Sequence, residues 1–117
     1  YIHAESFAAG ELKHGPIALV EPGVPVILLV RHDSAEEAVL GSLREVEARG
    51  ATAYIIREEG VLLNTVPEGR TLVLKALGTL HQIAFVIPLQ LLAYHTAKAK
   101  GLDPDKPRNL AKSVTVK

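Results

Sequence analysis

The fold turns on "VPVILLVRHDSAEEAVLGSLREVEARGATAYII", Val24 to Ile56. Its first seven residues form an unbroken apolar run with β-branched enrichment, bounded by Pro22-Gly23 and by Arg31-His32-Asp33. A strand buried on both faces reads this way. The period then changes. Ala35, Val39, Leu43 and Val46 fall on one helical stripe, Ser34 and Glu37 have capping-box spacing, and Gly50 suits the helix end. "TAYII", Thr52 to Ile56, is a second strand. Strand, amphipathic helix, strand predicts α/β layering around a mostly parallel sheet.

Working outward, a loop around Glu58–Gly60 leads through "VLLNTV" to "TLVLKAL", Thr71 to Leu77, a third strand. An apolar helix follows from about His81 to Lys100, with Pro88 expected to begin or kink it and Gly101 to end it. Its longest apolar run, Ile83 to Tyr94, is too short for the ~20 residues that a bilayer requires and suits a buried helix. Upstream, Tyr1 to Lys13 is rich in Ala, Glu and Leu, which predicts an opening helix. "KHGP" then stops it, because Gly15 can take a left-handed cap and Pro16 cannot continue. From Leu102, "LDPDKPRNLAKSVTVK" has two prolines and no helical period, so it reads as an irregular tail with a short extended end.

Three parallel strands make a narrow sheet, and the opening helix has no strand before it. The chain therefore reads as a fragment lacking its N-terminal portion. An open sheet edge and uncovered apolar surface predict self-association.

Composition sets the remaining bounds. A chain of 117 residues is one domain, and 48% hydrophobic with 22% charged residues is a globular balance. Thirteen basic residues offset thirteen acidic ones, so nothing favours nucleic acid as a partner. No basic segment leads into an apolar run, so no signal peptide is read, and membrane insertion is not expected. There is no cysteine, hence no disulfide and no thiolate chemistry. The five histidines make no HExxH pair and no metal spacing, so no metal is expected, nor any cofactor. The four serines are scattered, and no strand-to-helix turn gathers a phosphate cradle.

Two residues invite chemistry. His14 reads as a cation complementing a helix end, worth about 0.3–1 kcal/mol, or as a proton-transfer group presented to a cleft. Lys112 reads as a solvated terminal lysine or as an imine-forming amine, which would have to be desolvated beside a carbonyl substrate. Residue types alone leave both choices open.

"HAESFAAGELKHGPIALV" near the start and "PLQLLAYHTAKAKGLDPDKPRNLAKSVTV" at the end resemble the C-terminal part of the glucosamine-6-phosphate synthase family, the isomerising glutamine–fructose-6-phosphate aminotransferases. "ELKHGP" is shared more widely among sugar isomerase (SIS) domains, whereas "PRNLAKSVTV" is far more specific. The resemblance spans essentially the whole chain. It implies a partial flavodoxin-like SIS sandwich, with residues 1–101 as the later part of the second SIS half and 102–117 as an active-site tail. It further implies conversion of fructose 6-phosphate and glutamine-derived ammonia to glucosamine 6-phosphate, in a cytoplasmic homodimer. Lys112 falls on the family's Schiff-base lysine, His14 on its ring-opening histidine acting at the neighbouring subunit's site, and Ala111 on a residue lining the sugar site. The family's proton-shuttling glutamate should lie just before Tyr1. Its phosphate-binding loop belongs to the other SIS half, and its ammonia comes from a separate glutaminase domain, so these 117 residues alone should be inactive. The alternative is a non-catalytic phosphosugar-binding SIS module of a sugar-sensing regulator, which has no need of the "PRNLAKSVTV" tail.

Overall fold

The computed structural model describes residues 1–63 and 66–110. Its centre is a parallel sheet in the order β1-β2-β3, with β1 at Pro25–Val30, β2 at Thr52–Glu58 and β3 at Thr71–Leu74. Pro25 pairs with Thr52 and Val30 with Arg57, while Ile55 pairs with Thr71 and Glu58 with Leu74. Helix α1, Glu36–Glu47, makes the crossover between the first two strands. Helix α2, His81–Ala99, follows the third. The α/β reading and the parallel three-strand sheet are both as expected.

The core lies between α1 and one face of the sheet. Leu28 and Val30 from β1, Ala53 and Ile55 from β2, Leu43 from α1 and Val61 beyond β2 form one buried cluster. Period explains the membership. Alternate residues of a strand share a face, and Val39, Leu43 and Val46 recur at helical spacing along α1.

The α1 helix is capped differently from expectation. Ser34 and Glu37 form no capping box; instead Asp33 Oδ1 accepts the Ala35 N–H at 2.8 Å, and the helix begins at Glu36. The aspartate binds an amide two positions on, an Asx turn that leaves the serine outside the cap. At the other end Gly50 donates to Glu47 O at 2.9 Å and Ala51 to Val46 O at 3.2 Å, the paired bonds of a Schellman motif. Gly50 has φ 82°, and a Cβ there would sit 3.1 Å from Pro22 Cα. Gly50→Ala is therefore expected to cost about 1–2 kcal/mol for the left-handed backbone alone. Gly10→Ala, where a Cβ meets nothing within 4 Å, is the control in urea denaturation. Equal midpoint shifts for the two variants would show that this closure is unimportant.

Three other expectations give way. Residues 1–8 are not helical, and the segment that follows is two 3-10 turns, Ala9–His14 and Pro16–Leu19. Good helix formers contribute only tenths of a kcal/mol each, and nucleation is costly. With no residue buried in either turn, packing supplies nothing to offset that cost. Gly15 does separate the turns with a positive φ of 149°, outside the left-handed helical region.

Strand β1 is not buried on both faces: Leu28 and Val30 are buried, whereas Ile27 and Leu29 are 38% and 41% exposed. Nor is α2 a buried helix. Phe85 alone is buried, while Ile83 and Leu91 are more than half exposed and Leu92 is nearly so. One cause explains both. A helix that is apolar all round presents only one stripe to the sheet beside it, and the rest of its surface stays open. Leu29, Phe85 and Val86 line one small cavity of about 310 Å³, which sets the first half of α2 against that face of the sheet. Helix α2 also continues through Pro88 instead of beginning there, although the ring removes the N–H that would bond the Ala84 carbonyl. Among the described residues no helix is long and apolar enough to cross a membrane.

The Cα radius of gyration, 16.5 Å, exceeds the roughly 13 Å of a compact domain this long. Among the described residues β1 pairs only with β2, so its far edge keeps free amides and carbonyls beside exposed Ile27 and Leu29. Sedimentation of the 117-residue polypeptide is expected to show concentration-dependent association that Leu29→Lys weakens. A strictly monomeric species at high micromolar concentration would contradict this.

Candidate active site

His14 ends the first 3-10 turn, immediately before Gly15-Pro16, and is exposed. The turn is anchored by Ser42, whose buried Oγ donates to Ala9 O at 3.0 Å from the middle of α1. Proline and glycine fix where the chain reverses, and the serine fixes the turn to a rigid helix. The imidazole makes no hydrogen bond among the described residues. Ala111 and Lys112 lie outside the described residues, so the expected site is seen only on its histidine side and in the approach to the tail.

That approach is well built. Helix α2 closes in a second Schellman motif, with Gly101 donating to Lys98 O and Leu102 to Ala97 O, both at 2.9 Å. Asp103 Oδ1 then accepts the Asp105 N–H at 3.0 Å, and Asn109 takes φ 59°. Between them the Arg108 guanidinium lies 4.0 Å from the centre of the Tyr1 ring, and the Arg108 N–H donates to Tyr1 Oη. Sequence reasoning missed this contact, and no local signal could have revealed partners so far apart in the chain.

Tyr1 also lines a cleft of about 880 Å³ between residues 1–9, strand β1, helix α1 and the second half of α2. Ile27, Leu29, Phe7 and Leu92 make its apolar walls, while Glu5 and Lys100 are its charged members. His14 is not among the residues lining it.

A second group of ionisable side chains lies at the carboxyl ends of β1 and β2. Arg31 Nη1 meets Asp33 Oδ2 at 2.9 Å, His32 Nδ1 meets Glu36 Oε2 at 2.7 Å, and buried Glu58 accepts the His32 N–H at 3.2 Å. These are pairwise structural contacts, and they leave the buried Arg31 Nε without a hydrogen-bond partner among the described residues. Among the described residues no group of three or more His, Asp or Glu could hold a metal ion.

A family profile described as "SIS domain" matches residues 1–99. The chain belongs to the SIS domain family. This SIS chain is 49% identical, over 99% of its length, to a glutamine–fructose-6-phosphate aminotransferase (isomerizing) of Rhizobium leguminosarum bv. viciae, and covers 19% of that protein. The namesake of Neisseria meningitidis serogroup B is 47% identical over 99% of the chain, again with 19% of the relative covered. Among solved structures, the C-terminal domain of glucosamine-fructose-6-phosphate aminotransferase from Francisella tularensis superposes with a TM-score of 0.75 at 40% identity. That match covers 88% of this chain and 29% of the other. The chain thus spans about a fifth of the length of the curated relatives it matches. The partial SIS sandwich expected from "ELKHGP" and the tail motif is borne out.

Proposed function

We propose that the chain is the later part of the second SIS half, residues 1–101, with its active-site tail, residues 102–117, of an isomerising glutamine–fructose-6-phosphate aminotransferase. The observation that carries the reading is 49% identity across 99% of the chain to a protein of that name. The substrate is fructose 6-phosphate and the product glucosamine 6-phosphate. The other SIS half and a glutaminase domain complete the working protein, a cytoplasmic homodimer.

In this reading His14 protonates the ring oxygen and opens the hemiketal, since the ring form has no free carbonyl. A step of this kind contributes roughly 10²–10⁴-fold. The exposed turn carrying His14 suits it to act at a second subunit's site. The Lys112 amine adds to the C2 carbonyl and expels water, giving an imine that draws electrons from C1 and C2 better than the ketone does. Ammonia then displaces the lysine at C2, and a carboxylate contributed from outside these residues moves the proton from C1 to C2. Ala111 lines the sugar beside the amine.

Borohydride reduction of the full-length polypeptide with fructose 6-phosphate, followed by peptide mapping, tests the reading. The label is expected on Lys112. Label on another lysine, or none, removes it.

A further inference from the structure

We propose that Tyr1 and Arg108 form a clasp that holds residues 102–110 beside the cleft, which makes Tyr1 a positioning residue for the Lys112 amine. This deepens, and rests on, the Schiff-base reading of Lys112.

The segment after α2 is built to arrive at one place. The Schellman closure at Gly101 fixes its departure. Asp103 then folds the next residues, its carboxylate accepting from Asp105 and its carbonyl from Lys106 at 3.3 Å. Pro104 and Pro107 each lock φ near −65°, so few other paths are open to the chain. The residue delivered is Arg108, and it engages Tyr1 in two distinct ways. Its flat guanidinium lies over the ring at 4.0 Å, while its backbone N–H donates to the phenol oxygen. The ring contact depends on the flat guanidinium, which a lysine does not supply, whereas the hydroxyl contact uses the backbone N–H.

The location gives the contact its consequence. Tyr1 lines the cleft of about 880 Å³, so residue 108 is tied beside that cleft. Lys112 is four residues farther on, which confines its Cα to within about 14 Å of Arg108 whatever path the chain takes. An amine that must meet a carbonyl at bonding distance is sensitive to such an anchor. Misplacement by about 1 Å can cost on the order of 10²-fold in rate.

The test uses the full-length polypeptide carrying this sequence and two independent readouts. The first is amide hydrogen exchange over residues 103–110. The second is the rate of borohydride-trapped label on Lys112 at saturating fructose 6-phosphate. Tyr1→Ala and Arg108→Ala are each expected to speed exchange and to slow trapping by about 10–100-fold, with half-saturation changed less than about threefold. The double variant is expected to be no worse than Tyr1→Ala, because Tyr1→Ala already removes both the stacked ring and the acceptor of the Arg108 N–H, whereas Arg108→Ala keeps that backbone donor and removes only the stacked guanidinium. Tyr1→Phe keeps the stacked ring and should restore most of the rate, which a general folding defect would not allow. Unchanged exchange, or effects that multiply in the double variant, overturns the clasp. Faster exchange with normal trapping overturns the positioning role. Absence of label on Lys112 in the unmodified protein defeats the Schiff-base reading and the positioning role with it, while exchange still decides whether the clasp exists.

Discussion

Lys112→Arg in the full-length polypeptide is expected to lower sugar amination by more than about 10³-fold, the scale on which removal of a covalent nucleophile acts. The physical reason is specific to arginine. A guanidinium keeps the positive charge but does not lose its proton in proteins, so it has no lone pair with which to attack C2. Because charge and approximate reach are retained, substrate binding should be nearly unchanged, and the loss should fall on kcat with KM close to normal. Lys117→Arg makes the same exchange five residues later, where no chemistry is assigned, and should leave turnover as it was. Normal turnover in Lys112→Arg would reduce the tail to a solvent-facing terminus. A raised KM with unaltered kcat would make Lys112 a binding residue and not the imine-forming one.

The parts of the molecule legible in the sequence are those governed by local period. A six-residue apolar strand, a helix with Val39, Leu43 and Val46 on one stripe and a second β-branched strand left little choice but parallel pairing. Gly50 and Gly101 marked helix ends because their left-handed backbone is needed there. What failed did so where local signals compete or are silent. Asp33 lies one residue before Ser34, and both can bind amides at the start of α1; the aspartate side chain takes the Ala35 N–H, just before the helix. The Ala, Glu and Leu content of residues 1–13 promised a helix that has no buried face to stabilise it. The continuous apolar run of β1 recorded that both faces want cover, yet nothing local says how closely α2 will supply it. At the candidate site, the "KHGP" turn announced itself through Gly15 and Pro16. The Tyr1–Arg108 contact could not, since it joins the two ends of the described chain.

The one-sided core bears directly on stability, and Leu43→Ala is the substitution that exposes it. Leu43 is 2% exposed and sits where α1 meets Leu28 and Ile55 of the sheet. Truncation removes the transfer energy of three carbons and leaves a cavity that two strands and a helix can fill only by moving, so the expected loss is about 2–5 kcal/mol. Domains of this size hold roughly 5–15 kcal/mol in all. A chain whose second sheet face keeps Ile27, Leu29 and Tyr54 partly in water should sit toward the low end. Leu43→Ala is therefore expected to bring the 117-residue polypeptide close to unfolding at room temperature, with a large drop in urea midpoint and an unchanged slope. Leu62→Ala removes the same atoms from a side chain 81% exposed and should move the midpoint by no more than about 0.5 kcal/mol equivalent. If the two substitutions cost alike, the α1–sheet interface is not the core, and the stability must come from the face that α2 only partly covers.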